Sequence, residues 1–253
     1  MAEPAFSGGQ PTRRDRLRAA TRDEILQTAR ALLLRDGPTA MSLRAIAREM
    51  GMTAPGLYRY FGSLEELVRN VAADIFTELA TDVDQAIHAV GEAPDSDIEH
   101  LTAKVIAACR AFRLWALRHP GEFSLVFGVP LPGIDDGRHD IAEECALRFA
   151  GIYLGLVAKL WQWHPFPVPD PGQIDPQLLT QLDRYKETFG TSLPPGVILT
   201  FLRCWTLLYG SVAMEIFGHL SFALEDPSPL FEYTLLDMAA LVGLHHEPGP
   251  AAR

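Results

Sequence analysis

The sequence predicts an all-α fold in which a small N-terminal domain is joined by a long helix to a larger helical domain. Apolar residues recur at three- and four-residue spacing along most of the chain, and Gly and Pro fill the breaks between these runs. The 253 residues are 48% hydrophobic and 21% charged, which excludes wholesale disorder. A chain of this length usually folds as more than one unit, although a single hydrophobic core remains possible. We divide the chain into a flexible basic tail (1–19), an N-terminal helical domain (20–66) and a C-terminal helical domain (67–253).

Charge is distributed unevenly along the chain. Residues 1–70 hold eleven Arg and eight acidic residues, a balance of +3, whereas the remaining 183 residues hold 11 basic and 24 acidic residues, a balance of −13. This asymmetry indicates that only the N-terminal quarter contacts a polyanion. Chance and solvated helix faces would give a similar charge balance.

Four helices are predicted in the N-terminal quarter, and the first two are bounded by recognisable end signals. Thr21 and Glu24 match a capping box that opens helix one, which continues to about Asp36 and stops at Gly37. Ser42 is predicted to cap helix two, and the glycine at position 51 follows it as a left-handed terminator.

The next two helices begin with hydroxyl caps as well. Thr53 is predicted to cap helix three, with Pro55 in its first turn and Leu57 and Phe61 on its inward side. Ser63 opens helix four through a second capping box, and the apolar face of that helix continues to about residue 90.

Two short helices joined by a tight Gly turn form a helix-turn-helix, whose second helix lies in the major groove of DNA. The run from Ile46 to Leu67, IAREMGMTAPGLYRYFGSLEEL, resembles the DNA-binding domain of the TetR (tetracycline-repressor) family of bacterial transcriptional regulators. The resemblance covers roughly residues 20–67. Two positions depart from the family pattern, because Leu64 replaces a Lys that usually touches a phosphate and Tyr60 replaces a His.

Nine residues are predicted to face DNA. They are Ser42, Arg44, Thr53, Ala54, Pro55, Gly56, Tyr58, Arg59 and Tyr60. The small residues Thr53, Ala54 and Gly56 are the candidates for base edges, and Arg59 is long enough to hold a guanine. The remaining hydroxyls and Arg44 are positioned for phosphate oxygens. The arginines between positions 13 and 22 either reach the adjacent minor groove or backbone or belong to a solvated tail.

The remainder of the chain is predicted to be helical. The segments are 64–90, 97–118, 122–127, 138–163, 176–188, 195–222 and 229–245, with Gly/Pro-rich loops at 91–94, 128–137 and 164–172. The last two helices are apolar on more than one face, and one core rarely covers both faces of a helix. A second copy of the chain could cover the rest in a two-fold four-helix interface, an arrangement that the TetR resemblance also implies. The predicted interface residues are Leu202, Trp205, Val212, Ile216, Leu235, Met238, Leu241 and Val242.

Aromatic and thioether side chains of the C-terminal region are candidates for an effector pocket. They are Phe112, Trp115, Phe123, Phe127, Phe149, Tyr153, Trp161, Tyr209 and Met214. Any of them could equally be a simple core residue, and Tyr153 is the first candidate because its polar tip lies on an apolar helix. Residues 112–128 and 205–220 also look like the WHG type of ligand-binding domain found in part of the family.

Other classes of protein have little support in the sequence. No phosphate-cradling Gly-rich loop and no H-E-x-x-H, G-x-S-x-G or Cys-x-x-Cys motif occurs, so we expect no enzyme and no cofactor. His139 with Glu143, and Glu215 with His219, are four residues apart, but neither pair has a third metal ligand at defined spacing. Three scattered cysteines argue against a disulfide framework, and neither a membrane span nor a secretion signal is recognisable. We therefore expect a cytoplasmic protein.

These observations predict a homodimeric DNA-binding transcriptional regulator, a repressor that a small apolar or amphipathic ligand releases from a two-fold symmetric operator. Ligand binding would shift helix four and change the separation of the two recognition helices. The alternative is a helical ligand-binding or scaffold protein whose helix-turn-helix makes only protein contacts. A helical-bundle enzyme that uses His139 ranks below both.

Overall fold

The computed structural model describes residues 12–37, 42–94, 96–128 and 141–246, and within them it contains helices and no strand. The predicted all-α class is therefore confirmed. The helices are α1 (Arg13–Asp36), α2 (Leu43–Glu49), α3 (Ala54–Leu57), α4 (Leu64–Ala89), α5 (Ile98–Arg118), α6 (Pro120–Phe123), α7 (Ile141–Trp163), α8 (Pro176–Phe189), α9 (Pro195–Ile216) and α10 (Ser228–Leu241). A π turn covers Ser124–Gly128, and a 3-10 turn covers Pro171–Gln173.

The described residues divide into two units, and the division falls inside α4. Residues up to Ala72 belong to the first unit, and the described residues from Ala73 onward belong to the second. The predicted domain boundary at residues 66 and 67 lies one to two turns earlier in the same helix.

Helix α1 begins at Arg13 and not at Thr21, so the predicted start of helix one was wrong. Thr12 Oγ1 accepts a hydrogen bond from the Asp15 backbone N–H at 3.2 Å, and the Asp15 carboxylate accepts one from the Thr12 N–H at 3.1 Å. Thr21 lies inside the helix, where its hydroxyl donates to the Leu17 carbonyl at 3.0 Å. Both threonines have an acidic residue three positions later, and no helix breaker lies between them, so the earlier cap sets the start. The predicted flexible tail is thus helical from Arg13, and residues 1–11 lie outside the described part.

The first unit is built around apolar side chains from all four of its helices. Its buried residues include Ile25, Leu26, Ala29, Leu32, Leu33, Leu43, Ile46, Ala47, Leu57, Phe61, Leu67, Val68 and Val71. Arg22 belongs to this framework, because its guanidinium lies 5.0 Å from the centre of the Phe61 ring and donates to the Asn70 side chain. Arg22 therefore has a structural role, unlike the exposed arginines that precede it.

The turn between α2 and α3 depends on one glycine. Gly51 has a φ of 64°, a left-handed conformation that side-chain-bearing residues adopt at a cost. The chain then reverses so that the Met52 N–H donates to the Ala47 carbonyl at 2.8 Å, which closes a Schellman motif at the end of α2. The predicted position of this terminator is confirmed.

The second unit contains two ion pairs that connect α5 to the last two helices, one of them buried and the other half-buried. The Arg113 guanidinium donates to both carboxylate oxygens of Glu215 at 2.7 and 2.6 Å, and also to the Ser228 hydroxyl at 2.8 Å. Arg110 makes a second two-point contact with Glu232, at 3.0 and 2.6 Å. These bonds fix the end of α9 and the start of α10 against α5.

Helices α9 and α10 are shorter than predicted. α9 was expected to reach residue 222 but ends at Ile216, and Gly218 follows with a φ of 70°. α10 was expected to reach residue 245 but ends at Leu241, with Gly243 at a φ of 69°. An isolated glycine in an apolar run is compatible with helix continuation, so the sequence pattern did not reveal these two left-handed ends.

Within the described residues, the segment Pro195–Ile216 is the one helix whose length and composition would allow it to cross a membrane. Only 39% of its most apolar window is buried inside the structure. This is weak evidence, since a core helix of a soluble protein can satisfy the same criterion.

Candidate nucleic-acid interface and effector cavity

Two hydroxyl caps define the helix-turn-helix. Ser42 Oγ accepts from the Ala45 N–H at 3.1 Å at the start of α2, and Thr53 Oγ1 accepts from the Gly56 N–H at 3.2 Å at the start of α3. The regular part of α3 is a single turn, and the bond from the Phe61 N–H to the Leu57 carbonyl at 3.2 Å extends it. Leu57 and Phe61 are fully buried, so the inward side of α3 is fixed as predicted.

The nine predicted DNA-facing residues are accessible to different extents. Ser42, Arg44, Thr53, Pro55, Tyr58 and Arg59 are exposed, whereas Ala54, Gly56 and Tyr60 are half-buried. No predicted contact residue is fully buried, so each retains surface that a ligand can reach. The Thr53 and Ser42 oxygens already accept a backbone hydrogen bond, but their hydroxyl protons remain able to donate to a phosphate.

A groove lies between α1 and α3, which sequence reasoning did not anticipate. It is lined by Arg14, Leu17, Arg18, Thr21, Met52, Gly56, Arg59 and Tyr60. These residues supply three guanidinium groups, two hydroxyls and no carboxylate. The spacing of Arg14, Arg18 and Thr21 in the sequence places these residues on one helix face. This face can be recognised only once α1 is known to begin at Arg13, directly after its Thr12 cap.

Acidic residues of the first unit are engaged in local contacts that keep them ionised. Hydrogen bonds from Thr12 lower the pKa of Asp15, and a hydrogen bond from Arg35 lowers the pKa of Asp36. A bond from its own backbone N–H, followed by one from Ser63, lowers the pKa of Glu65. These carboxylates are used in caps and neighbour pairs, and none of them lines the groove beside α3.

An aromatic cluster occupies the second unit. The rings in mutual contact are Phe76, Phe112, Phe123, Phe127, Phe149, Tyr153, Trp205, Tyr209 and Phe217, at centroid distances of 5.0 to 6.4 Å. Six of the nine predicted effector residues belong to this cluster. The other three lie elsewhere: Trp115 stacks on His119, Trp161 meets Phe166 edge to face, and Met214 is exposed.

An apolar cavity of about 40 Å³ adjoins the cluster, and four helices line it. α5 contributes Val105, Ile106 and Cys109; α7 contributes Tyr153, Leu156, Val157 and Leu160; and α9 contributes Phe201, Cys204, Trp205 and Leu208. α10 contributes Leu235, Met238 and Ala239, and Val242 directly follows its last residue. Tyr153 is therefore the one predicted effector residue that lines the cavity. Sequence reasoning missed the aliphatic lining residues because they have the same pattern as ordinary core residues.

The cavity wall is neutral. The Tyr153 hydroxyl donates to the Ala108 carbonyl at 3.0 Å, and burial raises the pKa of this phenol well above its usual value. Burial likewise raises the pKa of Cys109 to about 12 and that of Cys204 to about 11, so both thiols stay protonated at neutral pH. No lining residue carries a charge, and such a wall favours uncharged apolar groups.

The residues predicted for a dimer interface are partly enclosed by their own chain. Val212, Leu235, Met238 and Val242 are buried, and Leu202, Trp205, Ile216 and Leu241 are half-buried. The buried four pack inside one subunit, so they cannot supply an open surface to a partner. The exposed large apolar residues of this region are different ones, namely Leu207, Met214 and Phe217 on and just after α9, Phe222 between the two helices, and Leu230 and Tyr233 on α10.

The metal pairs considered in the sequence find no support in the described residues. His139 lies outside those residues, and the side chain of Glu143 is not described. Glu215 is occupied by Arg113, which leaves His219 without this carboxylate as a co-ligand. No group of three or more His, Cys, Asp or Glu side chains suited to a metal ion occurs in the described part of the chain.

Two family profiles match the chain. Residues 25–71 match the family described as bacterial regulatory proteins of the tetR family, and residues 105–238 match the tetracyclin repressor-like C-terminal domain. The second match alone covers more than half of the sequence. The chain belongs to the TetR family. The resemblance noted in the sequence is thereby confirmed, and this TetR-family protein is a DNA-binding transcriptional regulator with a helix-turn-helix.

Individual relatives agree with this assignment. The chain is 28% identical over 224 residues to the HTH-type transcriptional regulator Rv1816 of Mycobacterium tuberculosis, covering 88% of this chain and 92% of that protein. It is similar to the crystal structure of the protein SCO4313, with 27% identity, a TM-score of 0.69, and coverage of 90% of this chain and 100% of the other. A protein of unknown function from Rhodococcus sp. RHA1 shares the fold at 18% identity and a TM-score of 0.59, over 96% of this chain and 99% of that one.

Proposed function

We propose that this TetR-family regulator is a cytoplasmic repressor that binds a two-fold symmetric operator as a homodimer and releases it when a small ligand enters the second unit. The observation that carries the proposal is α3, whose inward side is locked by Leu57 and Phe61 while Thr53, Pro55 and Arg59 remain exposed. A helix held in this way presents its N-terminal residues to a major groove.

Base reading by α3 depends on small side chains and one long one. Thr53, Ala54 and Gly56 allow the α3 backbone to approach the base pairs closely, which favours methyl contacts with thymine and water-mediated bonds. Arg59 supplies the single long donor, and the hydroxyls of Tyr58 and Tyr60 are placed for the phosphates on either side.

Dimerisation is supported by the exposed apolar residues of α9 and α10. Leu207, Met214, Leu230 and Tyr233 are each 38 to 64% exposed, although large apolar side chains are usually covered. A second copy related by a two-fold axis would cover this patch, and binding of an operator by the pair requires the two α3 helices to lie about 34–36 Å apart, one turn of DNA.

Ligand release is supported by the neutral cavity. A cavity of about 40 Å³ is smaller than a typical effector site, so a ligand must separate the lining helices as it enters. Two of the lining helices, α9 and α10, also carry the exposed patch, and expansion of the cavity would therefore alter the proposed dimer surface. A coupling of about 1–3 kcal/mol would lower operator affinity roughly 5- to 150-fold. The uncharged wall points to an apolar or amphipathic ligand whose polar end stays outside it.

Fluorescence anisotropy with duplex DNA from the region flanking the protein's own gene tests DNA binding. We expect the affinity to fall with salt at a log–log slope of about −0.9 per neutralised phosphate. Arg44→Ala should weaken binding to operator and to random duplex alike and reduce the slope by about 0.9, because Arg44 contacts phosphate and not bases.

The matched control is Arg184→Ala, which removes the same charge from an exposed position on α8. It should leave the affinity and the salt slope unchanged. A wild-type protein that bound no duplex, or bound one without salt dependence, would favour the alternative in which the helix-turn-helix makes only protein contacts.

A further inference from the structure

We propose that the groove between the first turns of α1 and α3 holds the sugar–phosphate strand that borders the major groove, with Arg14 and Arg18 as its phosphate ligands. This inference rests on the proposed DNA binding and adds a second contact surface to the helix-turn-helix. It concerns residues that precede the predicted DNA-binding domain.

The register of α1 points two arginines into the groove. Arg14, Leu17, Arg18 and Thr21 lie three or four residues apart, so they share one face of the helix, and all four line the groove. Arg16 lies on the opposite face and is absent from the lining. Arg14 and Arg18 are therefore distinguished by the structure from the neighbouring Arg16, although the sequence alone does not separate these three arginines.

The composition of the groove matches a nucleic-acid backbone. The Arg14 and Arg18 guanidinium groups attract phosphate oxygens, and the hydroxyls of Thr21 and Tyr60 can donate to them, while Arg59 lines the side next to the base pairs. Two apolar side chains of the lining, Leu17 and Met52, suit the carbon face of a deoxyribose. Leu17 is 70% exposed, which leaves most of its surface available for such a contact.

The position of the groove next to α3 determines which part of the DNA it meets. When α3 lies in the major groove, the nearest neighbour on its flank is the strand that forms the edge of that groove. The groove would hold this strand with Arg59 on the major-groove side and the α1 arginines on the far side. Arg14 and Arg18 would then contact the phosphates from the direction of the adjacent minor groove.

The helical conformation of the α1 start favours this role. Every residue from Thr12 to Ala20 is exposed, so no core of the protein requires these turns to be helical. The Thr12–Asp15 capping box stabilises them locally, through bonds of 3.2 and 3.1 Å. Arginines held on a helix lose less conformational freedom on binding than arginines on a disordered tail.

The test compares four single substitutions in the full-length protein on an operator duplex selected from random sequence by the wild-type protein. Arg14→Ala and Arg18→Ala should each weaken binding roughly three- to tenfold, equally on operator and on random duplex, and reduce the salt slope by about 0.9. Arg16→Ala removes the same charge from the opposite face and should change neither quantity appreciably. Arg59→Ala, in contrast, should weaken operator binding more than random binding, because we assign it to base reading.

A second measurement locates the contact. An operator carrying one uncharged methylphosphonate at the edge of the α3 major groove should bind wild type more weakly than the native duplex does. The same replacement should have little effect on the affinity of the Arg14→Ala protein, since that phosphate would no longer contact an arginine in the variant.

The outcomes separate this inference from the proposed function. Equal losses for Arg14→Ala, Arg18→Ala and Arg16→Ala would overturn the groove contact and leave only a diffuse charge effect, while DNA binding itself would stand. Unchanged binding by Arg14→Ala and Arg18→Ala would overturn it as well. If the wild-type protein selected no duplex at all, both the proposed function and the groove contact would fall.

Discussion

At the residue scale, the clearest division is between arginines that stabilise the fold and arginines that remain available to a ligand. Arg113 is 5% exposed, bonds Glu215 and Ser228, and lies 5.1 Å from the centre of the Phe231 ring. Arg14 and Arg18 are exposed and line a groove. The sequence does not distinguish these two groups, because burial of an arginine depends on a carboxylate far away in the chain.

Arg113→Ala should destabilise the second unit by about 3–5 kcal/mol, since it leaves the Glu215 charge buried without its partner. The control on the same helix is Arg118→Ala, whose pair with Asp82 spans 3.6 Å with the arginine side chain 62% exposed. Its loss should cost less than about 1 kcal/mol. Urea unfolding followed by circular dichroism measures both values, and equal losses for the two variants would contradict the assigned role of the buried pair.

At the element scale, the turn of the helix-turn-helix depends on the backbone conformation of one residue. The α2–α3 turn requires a residue with a φ of 64° at position 51, followed by the Met52 to Ala47 bond at 2.8 Å. A Cβ at this position would meet no atom within 4 Å, so the restriction is conformational and not steric crowding by neighbours.

Gly51→Ala should therefore destabilise the first unit by about 1–2 kcal/mol, because alanine tolerates the left-handed region poorly. Gly51→Asn is the matched variant and should lose less, since asparagine adopts this conformation more readily. Melting curves of the two variants give the comparison. Equal melting temperatures for wild type and Gly51→Ala would show that the turn has another stable conformation.

Much of the element structure could be predicted from end signals in the sequence. Ser42, Thr53 and Gly51 each have a local chemical role, and the structure shows them in it. The start of α1 was predicted too late, because Thr21 matches a capping box as Thr12 does, although no helix breaker separates the two. The ends of α9 and α10 depend on single glycines that an apolar helix would also tolerate.

The candidate sites were less predictable than the helices. Helical periodicity identifies an apolar face but does not say whether the chain's own core or a partner covers it. Leu235 and Met238 were therefore assigned to a dimer surface, although they line an internal cavity, while exposed Tyr233 and Leu230 were missed. Six aromatic candidates did come together, because rings on α5, α6, the π turn that follows it, α7 and α9 converge in the same core.

At the scale of the whole molecule, the proposed function requires two copies of the chain. The exposed side chains Leu207 and Met214 on α9 and Leu230 and Tyr233 on α10 are the surface most suited to this contact. Tyr233 is 64% exposed in one chain and would become covered in a dimer.

Tyr233→Glu should weaken dimerisation at least about tenfold, because a two-fold axis introduces the buried charge twice in one interface. Leu117→Glu places the same charge on an exposed position of α5 and should leave the dimer intact. Sedimentation velocity at micromolar concentration measures the fraction of dimer in both variants. A wild-type protein that stayed monomeric at concentrations where it binds operator would contradict the two-fold arrangement.

The Trp205 indole borders the cavity and contacts Phe112, Phe149, Tyr153 and Tyr209. A molecule that enters there must displace this ring or press against it, and indole emission is sensitive to such changes of surroundings. If the proposed ligand enters this cavity, a change in Trp205 emission should report its binding, so candidate ligands can be screened without attaching a dye.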